Sequence, residues 1–117
     1  MPNPYENLAN AIIEQAVKDY RGAAKFLKKN PRTKELETNV AAQLAEKKKR
    51  REEREKLNLP KEREKRSKEE RLLDNIRNNE CIVSEMEKFF HSDWFSQLTE
   101  IDGEWLLMRL KKETEGD

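Results

Sequence analysis

Apolar residues recur at helical spacing at both ends of this chain and nearly vanish from its middle. Tyr5, Leu8, Ile12, Ala16, Tyr20, Ala23 and Leu27 follow one another in steps of three and four, the spacing of one helix face. Ile13, Val17 and Ala24 widen that stripe. Asn3 suits an N-cap, Pro4 the first helical position and Glu6 the acidic place of a capping box. The spacing therefore predicts a helix over 4–29. Lys28 and Lys29 complement its dipole, and Asn30, placed before Pro31, is steered out of the α region. Gly22 costs about 1 kcal/mol against alanine inside such a helix, which predicts close packing there.

A second helix is expected from Pro31 to Thr33 onward, with Leu36, Val40, Ala41 and Leu44 as a short apolar face. Beyond it every residue of 46–56 is charged, Leu57 and Leu59 interrupt before Pro60, and 61–71 is charged again apart from Ser67. Glu46/Arg50, Glu52/Lys56, Glu62/Arg66 and Glu64/Lys68 are acid-first i,i+4 pairs, each worth ~0.2–0.5 kcal/mol to a helix. The expectation is a charged helical arm that frays and cannot build a core. Read as one helix, 46–71 would reach ~39 Å. Asn58-Leu59-Pro60 is its natural hinge. The break is either the tip of an antiparallel pair of charged helices or a kink in one long helix. The scarcity of facing apolar residues disfavours a zipped coiled coil.

Apolar periodicity returns at Leu72, Ile76, Val83, Met86 and Phe90, with Asn79 filling the gap in the series. Ser67-Lys68-Glu69-Glu70 offers a capping box for a helix restarting there. Asn79 sets the register of a helix–helix seam or lies at its wet edge. Phe89, Phe90, Trp94, Phe95 and Trp105 then gather within 17 residues. Ser92-Asp93 reads as a cap for a short helix, and Thr99 and Asp102 are further caps. Gly103 permits a turn or a close approach before a final helix ending at Lys111 and Lys112. The expected core is Ile12, Tyr20, Leu27, Ile76, Met86, Phe90, Trp94, Phe95, Trp105, Leu106 and Leu110. The fold class is all-α, a single helical domain. Helix 4–29 and the 72–112 helix with its aromatic knot form the core, and 31–71 supplies a helix plus the charged arm.

Composition sharpens this picture. Of 117 residues, 34% are hydrophobic and 42% charged, against roughly 45–50% and 25% in ordinary domains. One domain is the ceiling for such a length. The longest apolar run, Trp105 to Met108, is too short for a membrane span. Met1-Pro2-Asn3-Pro4 lacks the marks of a secretory signal. A single cysteine, Cys81, excludes an internal disulfide and fits a reducing cytoplasm. One cysteine and one histidine cannot make the usual zinc site, and no cofactor is expected. Asp93, Glu100, Asp102 and Glu104 cluster, but they read better as caps and first-turn residues than as acid, base or cation ligands. Cys81 and His91 lie ten residues apart, ~15 Å along a helix, too far for a dyad. Cys81 is expected to pack as a small residue. Binding is thus favoured over catalysis.

Net charge conceals a segregation. Residues 1–45 carry net +2, 46–71 net +5 and 72–117 net −6. Partner contacts are assigned to Lys47, Lys48, Lys49, Arg50, Arg51, Arg54, Lys61, Arg63, Lys65 and Arg66. The bland alternative is a mixed-charge helix that simply stays in water. Five adjacent bases, 47–51, spread around a helix rather than along one stripe, and no aromatic is interleaved for base stacking. Non-specific phosphate contact with strong salt dependence is the nucleic-acid reading. Surplus apolar residues in the C-terminal knot would suit a homodimer or a protein target.

Two stretches carry a resemblance. Residues 13–21, IEQAVKDYR, and 89–106, from Phe89-Phe90-His91-Ser92-Asp93-Trp94-Phe95 through Leu98-Thr99-Glu100-Ile101-Asp102-Gly103-Glu104-Trp105-Leu106, resemble small uncharacterised proteins of phages and prophages in Gram-positive bacteria. The resemblance covers roughly the first and last 30 residues, and those proteins join the two ends with little between. The charged middle would then be an insertion into a compact helical module. The resemblance implies no catalytic residues. It implies a phage context, the cytoplasm of a bacterial host, and the small non-enzymatic proteins that inhibit host defence by stoichiometric binding. Anti-CRISPR proteins are that class by context and size, with a guide-RNA-loaded CRISPR effector as the partner. The alternative is a direct, non-specific DNA- or RNA-binding protein of phage replication or regulation.

Overall fold

The computed structural model describes residues 4–116, and among them every regular element is an α-helix. They are α1 Pro4–Lys29, α2 Lys34–Lys56, α3 Lys68–Phe90, α4 Asp93–Leu98 and α5 Gly103–Gly116. The all-α expectation holds, and α1 has the expected bounds. The expected cap Asn3 lies outside the described residues. Two compact units form: residues 4–30 with 78–116, and residues 31–77. Helix α3 contributes to both.

The first unit is built on rings. Ile13, Ala16, Tyr20, Phe90, Phe95, Leu107 and Leu110 form one buried cluster, with Val83, Met86, Phe89, Leu98 and Leu106 packed against it. Phe90 and Phe95 meet edge to face at 5.6 Å, and Phe89 stands 5.5 Å from Phe95, the geometry aromatic quadrupoles favour. Ser92 caps α4 by accepting from the Phe95 N–H at 3.1 Å. Asp102 caps α5 by accepting from the Glu104 N–H at 3.0 Å. Gly103 opens α5 against α3. A β-carbon there would lie 1.8 Å from the Phe90 carbonyl oxygen, so only glycine fits. Arg21 on α1 donates to both carboxylate oxygens of Glu113 on α5, at 2.9 and 3.0 Å.

The buried face of α1 is Ala9, Ile13, Ala16, Tyr20 and Ala23. It is turned from the expected stripe at the N-terminal end, where Tyr5 and Leu8 are exposed and Ile12 is half-buried. Leu27 is likewise half-buried. Trp94 and Trp105, expected in the core, are 54% and 49% exposed. On α4 the inward residue is Phe95, and Trp94, one position earlier, is turned about 100° away from it; for Trp105 the reason lies in α5. Its inner face runs Gly103, Leu107, Leu110 and the half-buried Thr114, in steps of four, three and four, which turns Trp105 and Met108 outward. Cys81 is exposed rather than packed. Gly22 is exposed, with nothing within 4 Å of a would-be β-carbon, so its expected close packing is absent.

In the second unit Thr33 caps α2 by accepting from the Leu36 N–H at 3.1 Å. Leu36, Val40, Leu73 and Ile76 are buried, so the expected core residue Ile76 serves this unit. Helix α2 ends in a Schellman motif. The Asn58 N–H donates to the Glu55 carbonyl and the Leu59 N–H to the Arg54 carbonyl. Asn58 takes the left-handed conformation this requires, with φ 52°. The expected break at 58–60 is therefore there. The expected helix beyond it is not, because 59–67 carries no regular structure and α3 starts only at Lys68. Six residues between Pro60 and the cap Ser67 are too few to offset helix nucleation. Of the four expected i,i+4 pairs, Glu46/Arg50 stands at 3.9 Å, whereas Glu64 and Arg66 turn to distant partners.

Candidate functional site

Segment 59–67 runs antiparallel along α2, fastened by side chains in order. Arg54 donates to the Pro60 carbonyl at 2.7 and 3.1 Å and approaches Glu62 at 3.9 Å. Arg51 donates through two nitrogens to Glu64, each at 2.6 Å. Lys47 donates to the Lys65 carbonyl at 2.9 Å. Ser67 donates to Gln43 at 2.5 Å, and Gln43 donates to Glu69. Ser67 also caps α3 by accepting from the Glu70 N–H. The Glu70 carboxylate does not turn back to close a conventional box. It is buried, with Lys47 Nζ 2.8 Å from Oε1 and 3.0 Å from Oε2. Oε1 accepts no hydrogen bond, and the charge of the Lys47 ammonium is what lies against it.

Between α2 and the returning segment lies a cavity of about 650 Å³. It is lined by Lys47, Arg50, Arg51, Arg54, Lys61, Arg63 and Lys65, with Glu55, Leu59, Glu62 and Glu64. Seven of the ten basic residues singled out in the sequence thus converge on one cleft. Lys48, Lys49 and Arg66 stay outside it, and Arg66 instead meets Asp74 at 2.6 Å. Bases 47–51 do spread around the helix, with Lys48 and Lys49 off the cleft, but the wider set contains a stripe. Lys47, Arg50, Arg51 and Arg54 sit at i, i+3, i+4 and i+7, which is one helix face. That spacing was readable in the sequence. The opposite wall, 61–65, required the fold.

The pairing is selective. Glu62 and Glu64 are each held by an arginine of α2. Lys61, Arg63 and the Lys65 ammonium form no ion pair among the described residues. The Arg51 guanidinium holds the Glu64 carboxyl below the usual carboxylate range, chiefly through its hydrogen bond, with Lys47 and Arg50 adding to the effect. The same bond raises the pKa of Arg51. The 31–77 unit carries 16 basic and 11 acidic side chains, net +5, while the remainder carries 9 and 13, net −4.

The first unit presents a second candidate surface. Besides Trp94 and Trp105, Ile101 and Met108 are each 47% exposed. Arg109 lies over the Trp105 ring at 5.4 Å. His91 and Glu104 stand 3.9 Å apart near the start of α5. Among the described residues, no group of three or more His, Cys, Asp or Glu side chains is placed to hold a metal ion. No helix there is long and apolar enough to cross a membrane. No protein-family model, curated protein or solved structure matches this chain.

Proposed function

We propose that the protein is a phage-encoded, non-enzymatic binding protein that inhibits a host defence factor by stoichiometric contact. In this reading it works in the bacterial cytoplasm as an anti-CRISPR protein does, on a nucleic-acid-guided nuclease. The observation that carries the reading is the exposure of Trp94 and Trp105. Tryptophan is ordinarily highly buried, and a chain this short of apolar residues leaves two of its largest outside. Tryptophan and arginine dominate the centres of protein interfaces, and Arg109 on Trp105 supplies both. The phage resemblance of 89–106 includes both tryptophans. The net +5 of the 31–77 unit suits a partner that carries nucleic acid.

Size-exclusion chromatography with light scattering, with and without a candidate nuclease, tests this. A defined complex that suppresses cleavage, lost in the Trp94→Ala/Trp105→Ala variant with helicity retained, is the expected result. Absence of a complex across candidate nucleases, or a complex indifferent to both substitutions, overturns it. A homodimer whose interface consumes both tryptophans in the nuclease-free run would assign this surface to self-association instead.

A further inference from the structure

We propose that the cleft between α2 and segment 59–65 binds a single-stranded nucleic-acid backbone through its phosphates, without reading base sequence. This goes beyond the inhibitory reading and uses a different surface. Seven cations line the cleft against three carboxylates. Two of those carboxylates, Glu62 and Glu64, are already engaged by Arg54 and Arg51. Arg51 and Arg54 therefore position the outer wall, and Lys47, half-buried and paired with Glu70, fastens it through the Lys65 carbonyl. The cations left for a ligand are Lys61, Arg63 and Lys65 on one wall and Arg50 on the other. Arg50 shares only a 3.9 Å contact with Glu46. A chain of regularly spaced anions would replace solvent along such a row and release its own counterions.

The occupant follows from what the cleft lacks. Its only apolar side chain is Leu59, so an acidic protein segment would find no anchoring pocket of the kind that concentrates interface energy. It holds no aromatic ring, so bases have nothing to stack on and sequence has no reader. The outer wall is tied to α2 at 2.6–3.1 Å, so the space between the walls suits one strand of backbone rather than a duplex.

Fluorescence anisotropy with labelled single-stranded oligonucleotides of DNA and RNA, and with a duplex, tests the site using the intact protein alone. Single strands of both sugars should bind with affinity that falls steeply with salt. The variant Lys61→Ser/Arg63→Ser/Lys65→Ser should bind about tenfold more weakly or worse, and its log–log salt slope should fall by about 2, since each single-strand phosphate contact contributes ~0.7. The control Lys48→Ser/Lys49→Ser/Lys56→Ser removes the same charge outside the cleft and should lose less than about threefold. Equal losses in the two variants would show unplaced charge attraction and overturn the site. So would absent binding, tighter duplex binding, or equal affinity for oligoglutamate of matched charge. No nuclease enters this experiment, so its failure leaves the inhibitory reading intact, and failure of that reading leaves this one standing.

Discussion

The ring cluster of the first unit and the returning segment of the second hold together by different physics, although the second unit has its own apolar core in Leu36, Val40, Leu73 and Ile76. In the 4–30/78–116 unit, Phe90 and Phe95 are 2% and 1% exposed and lie at the centre of a ring cluster. In the 31–77 unit the returning segment buries no apolar side chain, and ammonium, guanidinium and carboxylate groups fasten it instead. Burial is non-directional and little affected by salt. Exposed ion pairs are weak singly and screened at physiological ionic strength. Apolar burial therefore supplies stability, while the returning segment supplies a surface whose geometry depends on solution conditions.

The contrast is tested most strongly at its extremes. Phe90→Ala should cost about 3–5 kcal/mol, the range for emptying a large aromatic site. A denaturant titration read by far-UV dichroism would show it. A loss under 1 kcal/mol would mean that the ring cluster is not the main support.

Lys47→Met probes the one well-buried pair of the other unit, whose side chains are 19% and 8% exposed. Leaving Glu70 unpaired should cost about 2–4 kcal/mol, somewhat under the range for a fully buried pair because Lys47 keeps some solvent. Adding Glu70→Leu should recover most of the loss, since apolar replacement of a buried pair is often neutral. If the double variant is no better than the single, the pair acts through something other than charge burial.

Glycine gives a smaller test with a sign in it. Gly103→Ala drives a β-carbon into the Phe90 carbonyl and should destabilise by about 1–3 kcal/mol. Gly22→Ala meets nothing within 4 Å on an exposed helix position and should stabilise by about 0.5–1 kcal/mol. Thermal unfolding of the two variants should move in opposite directions. The same two residues show where the sequence was legible. Both lie in apolar stretches, and Gly103 alone sits where a helix start meets another helix end. The bounds of α1 were readable because Pro4, the terminal lysines and Pro31 all act locally. Segment 61–66 misled because its i,i+4 pairs compete with distant partners, Arg51 for Glu64 and Asp74 for Arg66, and no local rule ranks those. Trp94 and Trp105 misled because aromatic density says nothing about which face turns inward. That face on α5 is marked by Gly103 and Thr114, neither of which reads as hydrophobic. The cleft was half legible: the α2 stripe from spacing, the facing wall only once the chain returned.

Titration separates the units at the alkaline end and locates the weakest fastening at the acid end. Burial raises the Tyr20 pKa, with the Glu87 and Glu115 carboxylates adding to it. A raised folded pKa contributes stability that is complete below the unfolded value, near 10 for tyrosine, and is lost as pH rises through the folded value. The aromatic unit should therefore weaken on the alkaline side, and Tyr20→Phe should remove that limb. Glu64 runs the other way. Its pKa is lowered by Arg51, so its contribution is complete above the ordinary carboxylate value and is lost as pH falls through the lowered one. Glu113, lowered by Arg21, shares this acid limb, so global unfolding cannot tell the two apart and the readout must be local. The carboxyl carbon shift of Glu64 followed by NMR should titrate below the usual carboxylate range, and Arg51→Gln should return it there. The pair lies at the surface, with the Glu64 side chain 30% and the Arg51 side chain 60% exposed, so the same substitution should change the melting temperature little. Its effect should appear instead as faster tryptic cleavage after Lys61, Arg63 and Lys65, and high salt should mimic it in the unmodified protein. An ordinary Glu64 midpoint, or cleavage indifferent to both salt and Arg51, would mean that the segment is held by its turn and its carbonyl contacts, and that charge shapes the cleft without closing it.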